Sequence, residues 1–272
     1  MDAAQKELLD EVLSLPGQAQ TALAVLRVLD DPEASADDVG LRLQADQALS
    51  TRAVYIANSS FYGRVSKVAG PAEAAAVIGF DTVRSLAAGV AFGLLDSGNS
   101  ALPKSYSAHA TASAAAASIL AERLHEPVGD AFSIGLLHDL GSALLALRRP
   151  EEAAQTREDA ARTGLGLEQL ELARFGIHHG TLGALALRAT RFPPEYVEAV
   201  LAHHRPPDPD APVMSRILIV ANAVAHRADE AWPHASTESL EELLPLVGMQ
   251  ADSAEELVRS CVRSIPELGL IG

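Results

Sequence analysis

Apolar residues recur three and four positions apart through most of this chain, the spacing of helices that bury one face. Leu8, Leu9, Val12 and Leu13 make a first stripe, ended by Pro16 and Gly17. Ala22, Leu23, Leu26 and Leu29 make a second, ended at Asp30, Asp31 and Pro32. Ser35 with Asp38 resembles a capping box and opens a third helix carrying Val39 and Leu43. QALSTRAVYIANSSFYG, 47–63, predicts a helix running into a turn, and helices over 73–78 and 82–95 flank Gly79. The polar, turn-rich DSGNSALP, 96–103, is the best internal boundary.

After that boundary comes an Ala-rich helix, SAHATASAAAASILAERL, whose small side chains permit close packing. FSIGLLHDLGSALLAL is apolar almost all round and predicts one central helix. LEQLELARFGI and TLGALALRAT predict two more. Pro193 and Pro194 open EYVEAVLAHH, and RILIVANAVAHRA reads as another buried helix. In the tail, Ser253 with Glu256 suits a capping box before ELVRSCVRSI.

Composition agrees with this pattern. Apolar residues are 48% of the chain, much of it Ala and Leu, and aromatics are only 4%. The expectation is an all-α protein of two packed helical lobes, 1–98 and 99–235, with a helical tail, 236–272, docked on one of them. A net charge of −15 with no basic cluster would repel a phosphate backbone, so nucleic acid is not an expected partner. Cys261 is the only cysteine, which excludes an intrachain disulfide and a cysteine-based zinc site. The start of the chain is acidic and amphipathic, and 85–95 is too short to span a bilayer. A soluble cytoplasmic protein with no membrane role is expected; oligomeric state is left open.

Candidate chemistry lies in the placing of nine histidines. His109 shares a helical face with Ala112, Ala116 and Leu120, and His204 lines up with Val197, Val200 and Leu201. His138 and Asp139 sit in the helix with almost no polar face, His178 and His179 precede a Gly-rich helix, and Asn222 interrupts an apolar run. Polar groups at inward positions of several helices must partner one another or a metal. The plain alternative for each is a hydrogen-bonded core residue, and for His203 and His204 a complement to a helix C-terminus. His125, His226 and His234 read as surface or helix-end residues.

The order His109, His138-Asp139, then a late helix ending in His203-His204 resembles the HD superfamily of metal-dependent phosphohydrolases. The N-terminal half, 13–63 and then 65–86, resembles the opening of an HDOD domain, the HD-related output domain of bacterial signalling proteins. ANSSFYG and GLLHDLG are its most specific pieces, and the likeness runs over roughly residues 8–230. It implies an HD-like C-terminal lobe and a module generally without enzymatic activity that passes signals through contacts with other signalling proteins.

The resemblance also implies a partly kept metal site. His109, His138 and Asp139 match the first part of the superfamily pattern, and His179 with His203 or His204 match further ligand positions of its cyclic-dinucleotide phosphodiesterase branch. The closing Asp falls at Asn222, a frequent Lys is Ser142, and no Gly-Tyr-Pro follows His204. Such a set implies either Fe, Mn, Ni or Zn, or a hydrogen-bonded remnant. Three functions follow as expectations: a non-catalytic signalling module, a metal-dependent phosphohydrolase of nucleotides or phosphodiesters, or a sensor that binds without turnover. ANSSFYG could line a groove between lobes with Asn58, Phe61 and Tyr62, or merely close a helix end.

Overall fold

The computed structural model describes residues 20–63, 67–95, 102–228 and 239–270. Among them every regular element is helical. The stripe at Leu8–Leu13, most of the 96–103 boundary, and His234 lie outside the described residues.

Five helices make the first half. They are α1 (Gln20–Leu29), α2 (Ala36–Leu43), α3 (Gln47–Ala57), α4 (Pro71–Ile78) and α5 (Phe80–Ala91). The capping box forms as the sequence predicts: Asp38 N–H donates to Ser35 Oγ at 3.2 Å, and Ser35 N–H to the Asp38 carboxylate at 2.9 Å. A short turn of 3-10 helix, Ser60–Tyr62, follows α3. Asn58 secures that corner, with its amide donating to Val68 C=O at 2.9 Å and its oxygen accepting from Val68 N–H at 2.9 Å. Asn58 is thus a backbone fastener.

The second half is built on α6 (Lys104–Leu124), buried continuously from His109 to Ala121. Around it and beyond lie α7 (Val128–Leu137), α8 (Leu140–Arg148), α9 (Pro150–Thr163), α10 (Leu167–Phe175), α11 (His179–Ala189), α12 (Pro194–Ala202) and α13 (Val213–Ala228). The single helix expected over FSIGLLHDLGSALLAL is two: the chain leaves regular helix at His138 and Asp139, which join α7 to α8. Val128–Arg148 is the one described stretch long and apolar enough to cross a membrane, and most of it is buried inside the protein. Helix α9 is polar and buries only Ala153, Thr156 and Ala160, so it carries no apolar stripe for a periodicity reading to find.

The tail contains α14 (Leu240–Leu243) and α15 (Ala254–Ser264), with 3-10 turns after each. Its capping box is at Ser239 and Glu242. The one expected at Ser253 does not form, because Ser253 ends a 3-10 turn with helical φ and ψ and cannot turn its hydroxyl back on the helix. The tail packs on α13 and α6 and also reaches the first half, where Ser60 Oγ donates to Glu267 at 2.6 Å. It therefore spans helices of both halves instead of docking on one. Phe61 lines a cleft of about 340 Å³ there, with Ile119, Arg123, Arg263 and Glu267. One continuous apolar core runs from Ala22 to Leu270.

A polar seam joins the two halves. Arg84 on α5, 8% exposed, donates to Asp30 Oδ1 at 2.9 Å, Leu29 C=O at 2.6 Å and Thr190 C=O at 3.2 Å. Nearby, Tyr196 donates to Asp130 at 2.9 Å.

Candidate metal centre

Two glycines explain how GLLHDLG builds a site. A Cβ on Gly135 would lie 2.6 Å from the Ser113 carbonyl oxygen, so its absence lets α7 settle on α6 and brings His138 beside His109. A Cβ on Gly141 would collide with the His179 carbonyl, so its absence lets α8 meet α11 and brings Asp139 beside His179. The motif is a pair of close-approach points with the His-Asp between them.

The result is one cluster around the Asp139 carboxylate. Oδ2 lies 3.8 Å from His138 Nε2 and 3.9 Å from His109 Nε2. Oδ1 lies 3.5 Å from His179 Nε2 and 3.6 Å from His203 Nε2. His204 Nε2 joins this second group, 2.7 Å from His179 Nε2. The potential ligand atoms of His109, His138 and Asp139 lie within 4.8 Å of one another, as do those of Asp139, His179, His203 and His204. Asn222 Oδ1 lies 3.1 Å from His109 Nε2. All seven residues singled out in the sequence are thus brought together.

The outer ring nitrogens are fixed by acceptors. His138 Nδ1 faces Gly135 C=O at 2.8 Å and His203 Nδ1 faces Val200 C=O at 2.5 Å. His179 Nδ1 faces Glu171 at 2.6 Å and His204 Nδ1 faces Glu168 at 2.9 Å. A carbonyl or carboxylate only accepts, so each Nδ1 carries the hydrogen, and each ring, when neutral, turns a lone pair inward at Nε2. Carboxylate or carbonyl contacts of this kind orient metal-ligating histidines. His203 Nε2 is buried with no hydrogen-bond partner. An orphaned acceptor among converging imidazoles and a carboxylate fits a divalent transition ion.

Electrostatics follow from burial and neighbours. Burial, with neighbouring imidazoles, pushes His138 and His203 down to about 4 and His109 well below its usual range. Burial opposes ionisation of Asp139, but His138, His203, His179 and His109 outweigh it and hold the carboxyl well below the usual range. Burial also works against a charged His179, yet the Glu171 charge and hydrogen bond raise it to about 9.

Glu171 and Glu168 were not singled out in the sequence. The available signal was an i, i+3 pair of acids in LEQLELARF just ahead of the histidines, with Glu171 only 3% exposed in the fold. His226, read as a helix-end residue, packs its ring 4.7 Å from that of His109. Phe61 and Tyr62 do not join the cluster; they pack against the core.

Comparisons with known proteins bear on the family and the fold. Residues 15–206 match the HDOD domain family. A crystal structure from Shewanella amazonensis SB2B, named "Putative phosphohydrolase", is similar at TM-score 0.70 and 23% identity, covering 98% of this chain and 97% of that one. An HDOD domain protein of unknown function from Geobacter sulfurreducens is similar at TM-score 0.66 and 23% identity, over 98% and 95%. A "Putative signal transduction protein" from Marinobacter aquaeolei VT8 is similar at 0.67 and 24%, over 98% and 64%. At these identities the likeness shows the fold. An uncharacterized protein of Treponema pallidum (strain Nichols) is 24% identical over 226 residues, and the matched region spans 80% of this chain but only 42% of that relative.

Proposed function

We propose that this chain, which belongs to the HDOD domain family, is a cytoplasmic signal-transduction module that acts through contacts with other signalling proteins and holds a divalent transition metal in its His–Asp cluster. The observation that carries the reading is enclosure. His109, His138, His179 and His203 turn Nε2 toward one carboxylate while no more than 5% exposed. Only Asp139, at 14% side-chain exposure, and His204, at 35%, reach solvent. A hydrolase needs an open coordination position and a path for substrate, so this arrangement supports holding an ion over turning a substrate over. Asn222 in place of a carboxylate supports the same reading, because it lowers the negative charge available to a second ion.

The ion, when bound, would supply Lewis acidity and positive charge. The chain's own residues do the rest: Glu171 and Glu168 orient His179 and His204, two backbone carbonyls orient His138 and His203, and Asp139 links the rings. Full-length protein purified without chelating resin tests this. The expected result is a transition metal retained at about one per chain, lost in Asp139→Ala, and no hydrolysis of bis(p-nitrophenyl) phosphate with added Mn²⁺.

A phosphohydrolase is the second reading. Its support is that the two oxygens of Asp139 face separate histidine groups, a layout that suits a two-ion centre. Phosphodiester hydrolysis that disappears in the His138→Ala/Asp139→Ala double variant would establish it and displace the signalling reading.

A further inference from the structure

The two histidine groups around Asp139 differ in how many hydrogens they have to share. In the group of His109, His138 and Asn222, the Gly135 carbonyl takes the Nδ1 hydrogen of His138, leaving its Nε2 as an acceptor. The Asn222 oxygen is a second acceptor. His109 Nε2 stands 3.3 Å from the first and 3.1 Å from the second. One N–H on His109 Nε2 therefore serves both, and the three atoms that face one another in this group are satisfied without a cation.

The other group does not close. Glu171, Glu168 and the Val200 carbonyl take the Nδ1 hydrogens of His179, His204 and His203. Three Nε2 lone pairs and Asp139 Oδ1 then converge. His179 and His204 face each other at 2.7 Å, a separation that requires something positive between the lone pairs. One added proton bridges those two rings but leaves His203 Nε2 and Asp139 Oδ1 facing each other at 3.6 Å as two acceptors with no donor. A divalent ion satisfies all four atoms at once. Three carboxyl groups, those of Asp139, Glu171 and Glu168, lie against this group, whereas among the described residues only Asp139 lies against the other.

We infer that His179, His203, His204 and Asp139 form the one metal site among the described residues, a three-imidazole, one-carboxylate set for a divalent ion of the Fe–Zn series, and that His109, His138 and Asn222 form a metal-free brace that orients Asp139. The inference rests on the metal-binding reading above and sharpens it: the centre holds a single ion. An N₃O donor set suits these metals better than Mg²⁺ or Ca²⁺, which favour oxygen.

The test measures metal per chain and the visible absorption of the Co²⁺-loaded full-length protein, with circular dichroism to confirm folding. Wild type is expected to hold about one ion. His204→Gln, at the solvent-exposed ligand and so least disruptive, and His203→Gln are expected to lose it and its Co²⁺ spectrum. His109→Gln and Asn222→Ala are expected to keep both. Asn222→Asp adds the missing charge and is expected to raise the content toward about two ions. Two ions in wild type, or loss on His109→Gln with retention in folded His203→Gln and His204→Gln, would overturn the inference and leave the metal-binding reading standing. No metal in folded wild type after loading with Zn²⁺, Fe²⁺ or Co²⁺ would overturn both.

Discussion

Among the described residues, two buried polar regions are built on opposite terms. At the seam between the halves, Arg84 brings hydrogens and meets acceptors: Asp30, Leu29 C=O and Thr190 C=O use both terminal nitrogens of the guanidinium. Around Asp139, acceptors outnumber hydrogens, and His203 Nε2 has no partner. A buried polar set that balances its donors and acceptors holds a structure together. One that leaves acceptors in surplus is prepared for a cation. Burial alone would not separate the two.

The largest effect that can break this comparison is at the seam. Arg84→Met takes the donor from two carbonyls and leaves Asp30 with Arg191 as its remaining cation, and is expected to cost about 2–4 kcal/mol in urea unfolding. The folded fraction should bind metal as before; a changed metal affinity would mean the two regions are not independent. Gly135→Ala comes next. Its methyl group meets the Ser113 backbone, so it should cost about 1–3 kcal/mol, and the wedge between α6 and α7 should move His138 off His109 more than it disturbs the metal group.

Glu171→Gln sharpens the other side of the comparison. It keeps the shape beside His179 but removes the charge, and metal affinity in a chelator competition is expected to fall about 10- to 100-fold with little loss of fold. Cys261 supplies the smallest effect, a third kind of buried polar group that keeps its own proton. Its thiol donates to Ala112 C=O at 3.3 Å and burial pushes it up to about 12. The folded value lies above the ordinary 9.0, so the folded state binds the proton more tightly and this contribution is lost as pH rises above 9. Wild type should therefore lose stability faster than Cys261→Ala in that window, by at most about 1.4 kcal/mol per pH unit. The folded thiol should also resist alkylation at pH 8.

How much of this was legible in the sequence depends on what each feature looks like locally. Apolar stripes and turn residues marked most helices, and the Ser35–Asp38 capping box announces itself in four residues. Helix α9 escaped because it buries three small side chains and no stripe. The break at His138 and Asp139 escaped because an apolar run gives no sign of where its backbone leaves the helix. Most of the site residues were readable as polar intrusions at inward positions, but His203 came only through the resemblance to the HD pattern, and the face read as His204's buries His203 at 5% exposure and leaves His204 at 35%. Their division into two unlike groups was not readable: it depends on which acceptor each Nδ1 faces, and two of those acceptors are backbone carbonyls that no side chain encodes. Glu171 was equally hidden, since an acid in a helix of mixed polarity reads as a solvated face until the fold buries it.

Anomalous diffraction from crystals of the Zn²⁺-loaded full-length protein, collected on both sides of the zinc absorption edge, tests the central claim most directly. The account predicts a single peak among His179, His203, His204 and Asp139. A peak between His109 and His138, two peaks flanking Asp139, or none in the cluster would contradict it.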